Sequence, residues 1–335
     1  MTELNKVVLS TRVRLARNYR EFPFVPKMSL EDATKTAEMT KEAVMLSSGA
    51  SALEFEYLSG KELADLSGVL LEEHLISPGM LKSKLCPAVI LSKSRELSIM
   101  VNEEDHLRIQ AFKPGYNPDE AMRLANLFDD LCEEKNEYAF STKYGYLTAC
   151  PTNIGTGIRV SFMMHLPAIT ITGAMNNLIR QVNRLGLEVR GAFGEGTGGE
   201  GNIYQISNQI TLGLSEEEIL EKLKRTVNTI AEQELALREK IRGDELYDRI
   251  YRSVGLLKSS YKMSYGEFLK LNSNAILGAD MGIIKGSAKE FYALNERVAP
   301  NHIIALSHEF SDSVKRDIKR AEILREAIGK EDKNV

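Results

Sequence analysis

The chain has 335 residues, with 43 Lys and Arg against 47 Asp and Glu for a formal net charge of -4, enough length for about two domains that need no disulfide or metal staples. This slightly acidic balance argues against general binding to nucleic acid or to an anionic membrane, while leaving room for a local basic site. Hydrophobic residues make up 43% and charged residues 27%, which excludes wholesale disorder, and no apolar run is long enough for a spanning helix. The first residues turn to arginine at once and lack the apolar core of a secretory signal, so a cytoplasmic location is the expectation. Cys86, Cys132 and Cys150 form neither a disulfide framework nor a CxxC pair, and the five histidines include no HExxH spacing. No metal held by protein ligands is expected, although a divalent ion arriving with a substrate leaves no such trace.

Along the chain, Val7 to Leu15 alternates as a half-buried strand with Arg12 and Arg14 on its polar face. Ser29 opens a helix to about Leu46, and Ser59 with Glu62 reads as a capping box before a helix ending near His74. Leu97 to Val101 is a strand. After the acidic turn Glu103-Glu104-Asp105, His106 to Phe112 forms another strand with His106, Arg108 and Gln110 on one face. A helix is predicted from Pro118 to near Glu137, a strand over Tyr144 to Ala149, and a turn-rich loop from Cys150 to Gly157. That loop feeds a strand carrying Arg159, Ser161 and Met163 on one side. A helix from Thr172 to Gly186, the short strand Leu187 to Arg190, a glycine-rich loop from Gly191 to Gly201 and the strand Asn202 to Ile210 follow. Beyond Leu214 strand signals stop. Ser215 with Glu218 caps a long helix ending near Gly243, and further helices follow, one capped by Ser264 with Glu267. The pattern is α+β over residues 1–243, followed by a smaller all-helical domain over 244–335.

Arg12, Arg14, Arg108, Arg159 and Arg190 fall on polar strand faces or in adjoining loops. Each alone reads as a solvated face; converging, they would hold a nucleoside triphosphate without a P-loop, because guanidinium groups grip phosphate bidentately and keep their charge. The loop Gly194 to Gly199 matches GxGxxG, but a strand rather than a helix follows it, so it is not a dinucleotide fingerprint. Walker A, HRD and DFG motifs are missing. Glu104 and Glu195 stand out as carboxylates that repel one another unless a guanidinium lies between them; the spacing also fits a solvated hairpin turn for Glu104.

Three strings, Ser10-Thr-Arg-Val-Arg-Leu-Ala-Arg-Asn18, Asn102-Glu-Glu-Asp-His-Leu-Arg108 and Cys150-Pro-Thr-Asn-Ile-Gly-Thr-Gly-Ile-Arg159, resemble signatures of the phosphagen (guanidino) kinase family. The strings Arg190 to Gly196, Gln205 to Gly213 and Arg316 to Ala321 narrow the resemblance to the McsB-type bacterial protein arginine kinases. The resemblance implies an antiparallel sheet flanked by helices. It also implies that Arg12, Arg14, Arg108, Arg159 and Arg190 hold the phosphates of ATP with Mg²⁺, that Glu104 is the catalytic base, and that Glu195 grips the guanidinium. Cys150 matches the substrate-site cysteine, and His74 is a possible adenine contact, since the family's adenine-side histidine position is Met163 here.

Only nine residues precede Ser10, where small-molecule phosphagen kinases carry a helical domain; the expectation is an open site that takes arginine side chains of proteins. Arg316, Asp317, Arg320 and Ala321 match the family's allosteric phosphoarginine site, whereas their spacing alone describes a salt-bridged helix face. The resemblance further implies a homodimer, marking of proteins for Clp-dependent degradation, and McsA, the ClpC unfoldase and the repressor CtsR as partners. A kinase for free arginine or another small guanidino compound, and a phosphoarginine-binding adaptor, are the alternatives.

Overall fold

The computed structural model describes residues 3–46, 54–191 and 199–329. Its organising element is an eight-stranded antiparallel sheet built from β1 (Val8–Arg17), β2 (Phe55–Ser59), β3 (Ala88–Ser92), β4 (Leu97–Val101), β5 (Leu107–Pro114), β8 (Ile158–His165), β9 (Leu187–Gly191) and β10 (Ile203–Asn208). The strands run in the order β2-β3-β4-β5-β1-β8-β10-β9, so the strands bearing Arg12, Arg14, Arg108 and Arg159 lie together at its centre. The short pair β6 (Phe140–Ser141) and β7 (Gly145–Tyr146) stands apart.

Alternation decides what each face meets. Val13, Leu15, Ile109, Val160, Phe162 and Ile206 are buried on one face in a continuous core with helices α1 (Leu30–Met45), α3 (Pro118–Glu133), α5 (Met175–Arg184) and α6 (Glu216–Lys240). These helices present their apolar stripes, such as Phe128 on α3 and Leu223, Val227 and Ile230 on α6. Among the described residues, the opposite face is covered by α2 (Gly60–Glu72) at one end. There α2 buries Leu63 and Leu70 against Val89, Leu91 and Met100, and the remaining face carries the arginines.

Arg17, at the end of β1, holds the layers in register. Its Nε and Nη2 donate to Oδ2 of Asp129 on α3 at 3.0 and 2.7 Å, and its Nη1 donates to the carbonyls of Ala16 and Thr156 at 3.1 and 2.9 Å. The guanidinium lies 3.6 Å from the Tyr146 ring centroid. Gly157 has φ +64°, and a Cβ there would come within 2.6 Å of the Ala16 carbonyl oxygen and 2.7 Å of Arg17 Nη1. Only glycine fits this crossing.

Beyond α6 the chain is helical: α7 (Asp244–Ser259), α8 (Tyr265–Asp280), α9 (Ala288–Arg297), α10 (Pro300–Leu306) and α11 (Ser313–Gly329) surround a second core including Phe268, Ile276, Phe291, Ile303 and Leu324. Polar seams join it to the sheet, among them a pair of hydrogen bonds joining Ser273 of α8 to His165 of β8 and to Asn202, each 2.8 Å. In a second, the buried pair Glu234 and Arg238 on α6 (2.9 Å) links the backbone N–H groups of Ala168 and Ile169 to Asp280 of α8. In a third, Glu72 at the end of α2 accepts the backbone N–H groups of Asn301 and His302. No helix among the described residues is long and apolar enough to cross a membrane.

Several expectations from the sequence are corrected. The predicted helix from Thr172 to Gly186 is two helices, α4 (Pro167–Ile171) and α5, because Gly173 turns the chain at φ +72° and Thr172 closes α4 instead of opening a helix. Ser59 precedes α2 but its side chain makes no capping bond, since the residue also ends β2. The strand expected over Tyr144 to Ala149 shrinks to Gly145–Tyr146, because side chains of Asn18 and Asp105 take the backbone groups of Leu147 and Ala149 that a ladder would need. Strands β2 and β3 carry no alternation in their burial and were not legible as strands.

Replacing Asp129 with alanine removes the main partner of the buried Arg17 charge and leaves it only the longer ion pair with Glu216 at 3.6 Å. Urea unfolding is expected to show a loss of about 3–5 kcal/mol; a loss below about 1 kcal/mol, the value of a surface pair, would contradict the anchoring role.

Candidate functional site

Register places the arginines. In antiparallel pairing, side chains directly opposite one another share a face: Arg14 sits opposite Arg159 of β8 and Gln110 of β5, Arg12 opposite Ser161 and Phe112, and Arg108 opposite Ala16 of β1. The result is a half-buried basin of positive charge. Burial, and then the charges of Arg108 and Arg159, push the Arg12 guanidinium down to about 10. Burial followed by Arg108, Arg12 and Arg159 moves Arg14 well below its ordinary value, with Glu103 opposing. Arginine still keeps its charge at neutral pH, so these directions reflect burial first and the mutual repulsion of the groups second.

Each arginine has a different degree of support. Arg12 donates from Nε to Ser161 Oγ at 3.3 Å and from Nη2 to Gln205 Oε1 at 3.1 Å. Arg159 donates from Nη2 to Ser207 Oγ at 2.9 Å and to Glu188 Oε2 at 2.7 Å, while Arg190, largely exposed, reaches Glu188 Oε1 at 2.7 Å. Glu188 thus bridges two guanidinium groups and is held below the usual carboxylate range: the hydrogen bonds from Arg190 and Arg159 outweigh the burial that opposes them. Arg14 donates to no described residue, and Nε of Arg108 is buried without a partner among the described residues. Unspent donors beside mutually repelling cations make a site that calls for a multivalent anion.

The acidic turn closes one side. Glu103 is turned inward, accepting from Arg108 Nη1 at 3.3 and 3.2 Å, from Ser77 Oγ and from the backbone N–H of Glu104 at 2.9 Å. Asp105 is buried and accepts from Asn18 Nδ2 at 2.7 Å and from the backbone N–H of Ala149 at 2.6 Å. Glu104, between two fixed neighbours, remains exposed. Because Ala149 adjoins Cys150, the Asp105 bond ties the Glu104 turn to the Cys150 loop, where the half-buried thiol lies 3.0 Å from Thr152 Oγ1. His106, on the polar face by alternation, belongs to this scaffold: it accepts from Tyr19 N–H at 3.0 Å through Nδ1 and donates to the Pro23 carbonyl at 2.9 Å through Nε2.

His74 borders the basin. It follows α2 with φ +60°, and the neighbouring Leu75 carbonyl is pinned by Gln110 Nε2 at 3.2 Å and by Ser98. More than a third of the residue is open to solvent, yet the protein crowded around its ring, and to a smaller extent the Arg12 charge, bring its pKa down to about 4. Met163 lies half-buried opposite Gln205. Glu195 and most of the glycine-rich loop lie outside the described residues.

Sequence reasoning missed Glu103, Glu188 and Gln205, the residues that orient the arginines. Their signal is strand parity, since Gln205 and Glu188 fall opposite Met163 and Ser207 on the arginine face. At the far end of the chain, Arg320 is buried rather than on a solvated face. It donates to the carbonyls of Val298 at 2.9 Å and Met263 at 3.0 Å and pairs with Asp317 at 2.5 Å. Arg316 reaches the Phe310 and Ser311 carbonyls at 3.1 and 3.2 Å and is close enough that its charge lowers the pKa of Arg320. Ala321 is buried in the helical core.

Residues 35–237 match the family described as ATP:guanido phosphotransferase, C-terminal catalytic domain, and residues 243–335 match the protein-arginine kinase McsB C-terminal domain. The chain is 40% identical over 330 residues to a protein from Caldanaerobacter subterraneus subsp. tengcongensis named protein-arginine kinase, with 97% of this chain and 98% of that protein covered. A Bacillus subtilis protein of the same name is 42% identical over 329 residues, covering 96% and 90% of the two chains. Among solved structures, a lombricine kinase superposes with TM-score 0.61 at 25% identity, over 72% of this chain and 70% of that one.

The electrostatics of the basin are open to direct measurement. Histidine-selective NMR titration is expected to give His74 a midpoint near 4, and Arg12→Met to raise it. A midpoint at or above the ordinary value of about 6.5 would contradict the described environment.

Proposed function

The chain belongs to the ATP:guanido phosphotransferase family and, within it, to the protein-arginine kinases; on that premise we propose how its residues divide the work. It phosphorylates arginine at the expense of ATP. Arg12, Arg14, Arg108, Arg159 and Arg190 form the phosphate clamp, and the observation that carries this reading is the cluster of mutually repelling guanidinium groups with unspent donors on one sheet face. The nucleotide enters as its Mg²⁺ complex, the ion offsetting part of the triphosphate charge. His74 borders the nucleotide, a neutral ring suited to stacking on a base. Residues 1–243 carry catalysis, and residues 244–335 carry self-association and regulation.

The transfer is a matter of alignment and charge stabilisation. Glu104 accepts a proton from an Nη of the substrate arginine. The freed lone pair forms the N–P bond as the bond from the γ-phosphorus to the ADP oxygen breaks, giving phosphoarginine and ADP. Glu195 holds the far edge of the guanidinium, and Cys150, tied to the base turn through Ala149 and Asp105, lines the substrate side. Asp105 and Glu103 give Glu104 its fixed position.

We extend this reading to regulation. Arg316 and Asp317 form a phosphoarginine site, with Arg320 and Ala321 as its buried floor, and the proximity of the two arginines supports it. Tyr251, Leu256 and Tyr261 are 60%, 45% and 72% exposed, apolar surface that supports a homodimer formed through the helical region. The cytoplasmic context is protein quality control, with McsA, ClpC and CtsR as partners and phosphoarginine as the mark for Clp-dependent degradation.

Glu104→Ala is expected to lower protein arginine phosphorylation by ~10²–10⁴ while ATP binding, followed by calorimetry, is retained; activity within threefold of wild type, roughly, would refute the base assignment. Arg159→Lys is expected to cost ~10²–10³ in turnover, because lysine lacks the planar fork. Arg316→Ala should abolish phosphoarginine binding in the helical region with the fold intact, whereas Arg320→Ala should lower the unfolding midpoint. Wild-type phosphoarginine binding by the Arg316 variant would leave this segment a structural helix face.

A further inference from the structure

The seam between α2 and the helical region gathers one imidazole and three carboxylates. Glu72 accepts from His302 Nδ1 at 3.0 Å and from the backbone N–H groups of Asn301 and His302 at 2.9 and 3.2 Å, which fixes the ring. With Nδ1 engaged, Nε2 faces Oε1 of Glu73 at 3.4 Å and Oε1 of Glu296 at 3.7 Å. Ligand atoms of Glu73, Glu296 and His302 all lie within 4.8 Å of one another. The other carboxylate oxygen of Glu73 is buried with no hydrogen-bond partner among the described residues.

We propose that Glu73, Glu296 and His302 bind a divalent transition-metal ion of the zinc type, clamping the end of α2 to the helical region. Three observations carry this. Nε2 lies 3.4 Å from Glu73 Oε1, at the outer limit of a hydrogen bond, and 3.7 Å from Glu296 Oε1, beyond it. In a tetrahedral ligand set bonds of about 2.0–2.1 Å place ligand atoms roughly 3.4 Å apart, so the first separation already equals such an edge and the second is slightly longer.

The second observation is the hydrogen bond from His302 to Glu72, the arrangement by which metal-ligating histidines are held in one tautomer and orientation. The third is the unpartnered Glu73 oxygen, a buried acceptor that a cation would satisfy. A mixed imidazole and carboxylate set selects zinc-like ions over Mg²⁺, which demands oxygen ligands and gives up water reluctantly. Glu296 is exposed, so water can take the fourth position. The sequence hid this site because its ligands come from opposite sides of the α6 boundary, with none of the short spacings by which metal motifs are recognised.

The clamp has a mechanical consequence. Glu73 immediately precedes His74 at the edge of the arginine basin, whereas Glu296 and His302 belong to the helical region. An ion bridging them couples the position of that region to the basin's rim.

The test uses the full chain stripped of metal with a chelator and titrated with Zn²⁺ against a chromophoric zinc indicator. A single equivalent should bind, persist in excess Mg²⁺, and weaken by roughly tenfold or more in His302→Ala and in Glu296→Gln. Co²⁺ in place of Zn²⁺ should give visible bands without a sulfur charge-transfer band, which separates this site from the free thiols Cys86 and Cys150. Unfolding curves in chelator establish that the variants fold, and Glu296→Gln changes only an exposed side chain should His302→Ala fail to fold. No Zn²⁺ binding by the wild type, a thiolate spectrum, or unchanged affinity in both variants would overturn the proposal and leave the cluster a hydrogen-bonded seam.

Discussion

Arg12, Arg14, Arg108 and Arg159 repel one another across three adjacent strands, and much of the architecture can be understood as holding them together despite that repulsion. A flexible loop carrying the same residues would splay its guanidinium groups into water. Strands cannot do so, because the ladder hydrogen bonds that fix one side chain fix its neighbours at the spacing of the sheet. Placing the charges at the centre of eight strands, with a continuous core on the other face, makes the backbone's cooperativity work against the electrostatic strain.

Counter-ions finish the arrangement without abolishing it. Glu103 draws on Arg108, and Glu188 bridges Arg159 and Arg190, so the basin is partly neutralised at its edges while Arg14 at its middle forms no ion pair with a described residue. A nucleotide's phosphates meet a surface whose geometry is already set and whose positive charge lacks full compensation. That is the condition under which electrostatic stabilisation costs no reorganisation at the moment of reaction. Arg17 belongs to the same string as Arg12 and Arg14 but does the opposite job. Fully buried and paired with Asp129, it ties the arginine strand to the helices behind the sheet.

How much of this was legible in the sequence follows from range of interaction. Parity alone put Arg12, Arg14, Arg108 and Arg159 on polar strand faces, and the capping box of Ser215 and Glu218 marked α6, because both signals are local. Convergence was not local. That Arg14 faces Arg159 depends on pairing between strands far apart in sequence, and strings shared with a known family stood in for that information. Strand β3 was missed because a strand in the sheet's interior loses the apolar-polar alternation, and β2, at the sheet's edge, because only Leu58 of its five residues is buried. The helix broken at Gly173 and the strand cut short by Asn18 and Asp105 were missed because one glycine, and two side chains from elsewhere in the chain, overrode the local pattern. The burial of Arg320 was equally hidden, since its acceptors are carbonyls on two other segments.

The claim that unrelieved repulsion is what readies the site is tested most directly by the unfolding free energy of Arg14→Met, with and without ATP and Mg²⁺, beside the wild type. Removing a half-buried charge that pairs with no described residue, in favour of an apolar side chain of similar length, should make the free protein more stable, by ~1–4 kcal/mol. The same change should erase most of the stabilisation that nucleotide confers on the wild type through preferential binding to the folded state. A variant that is less stable when free, and that still gains the full stabilisation from nucleotide, would contradict the account.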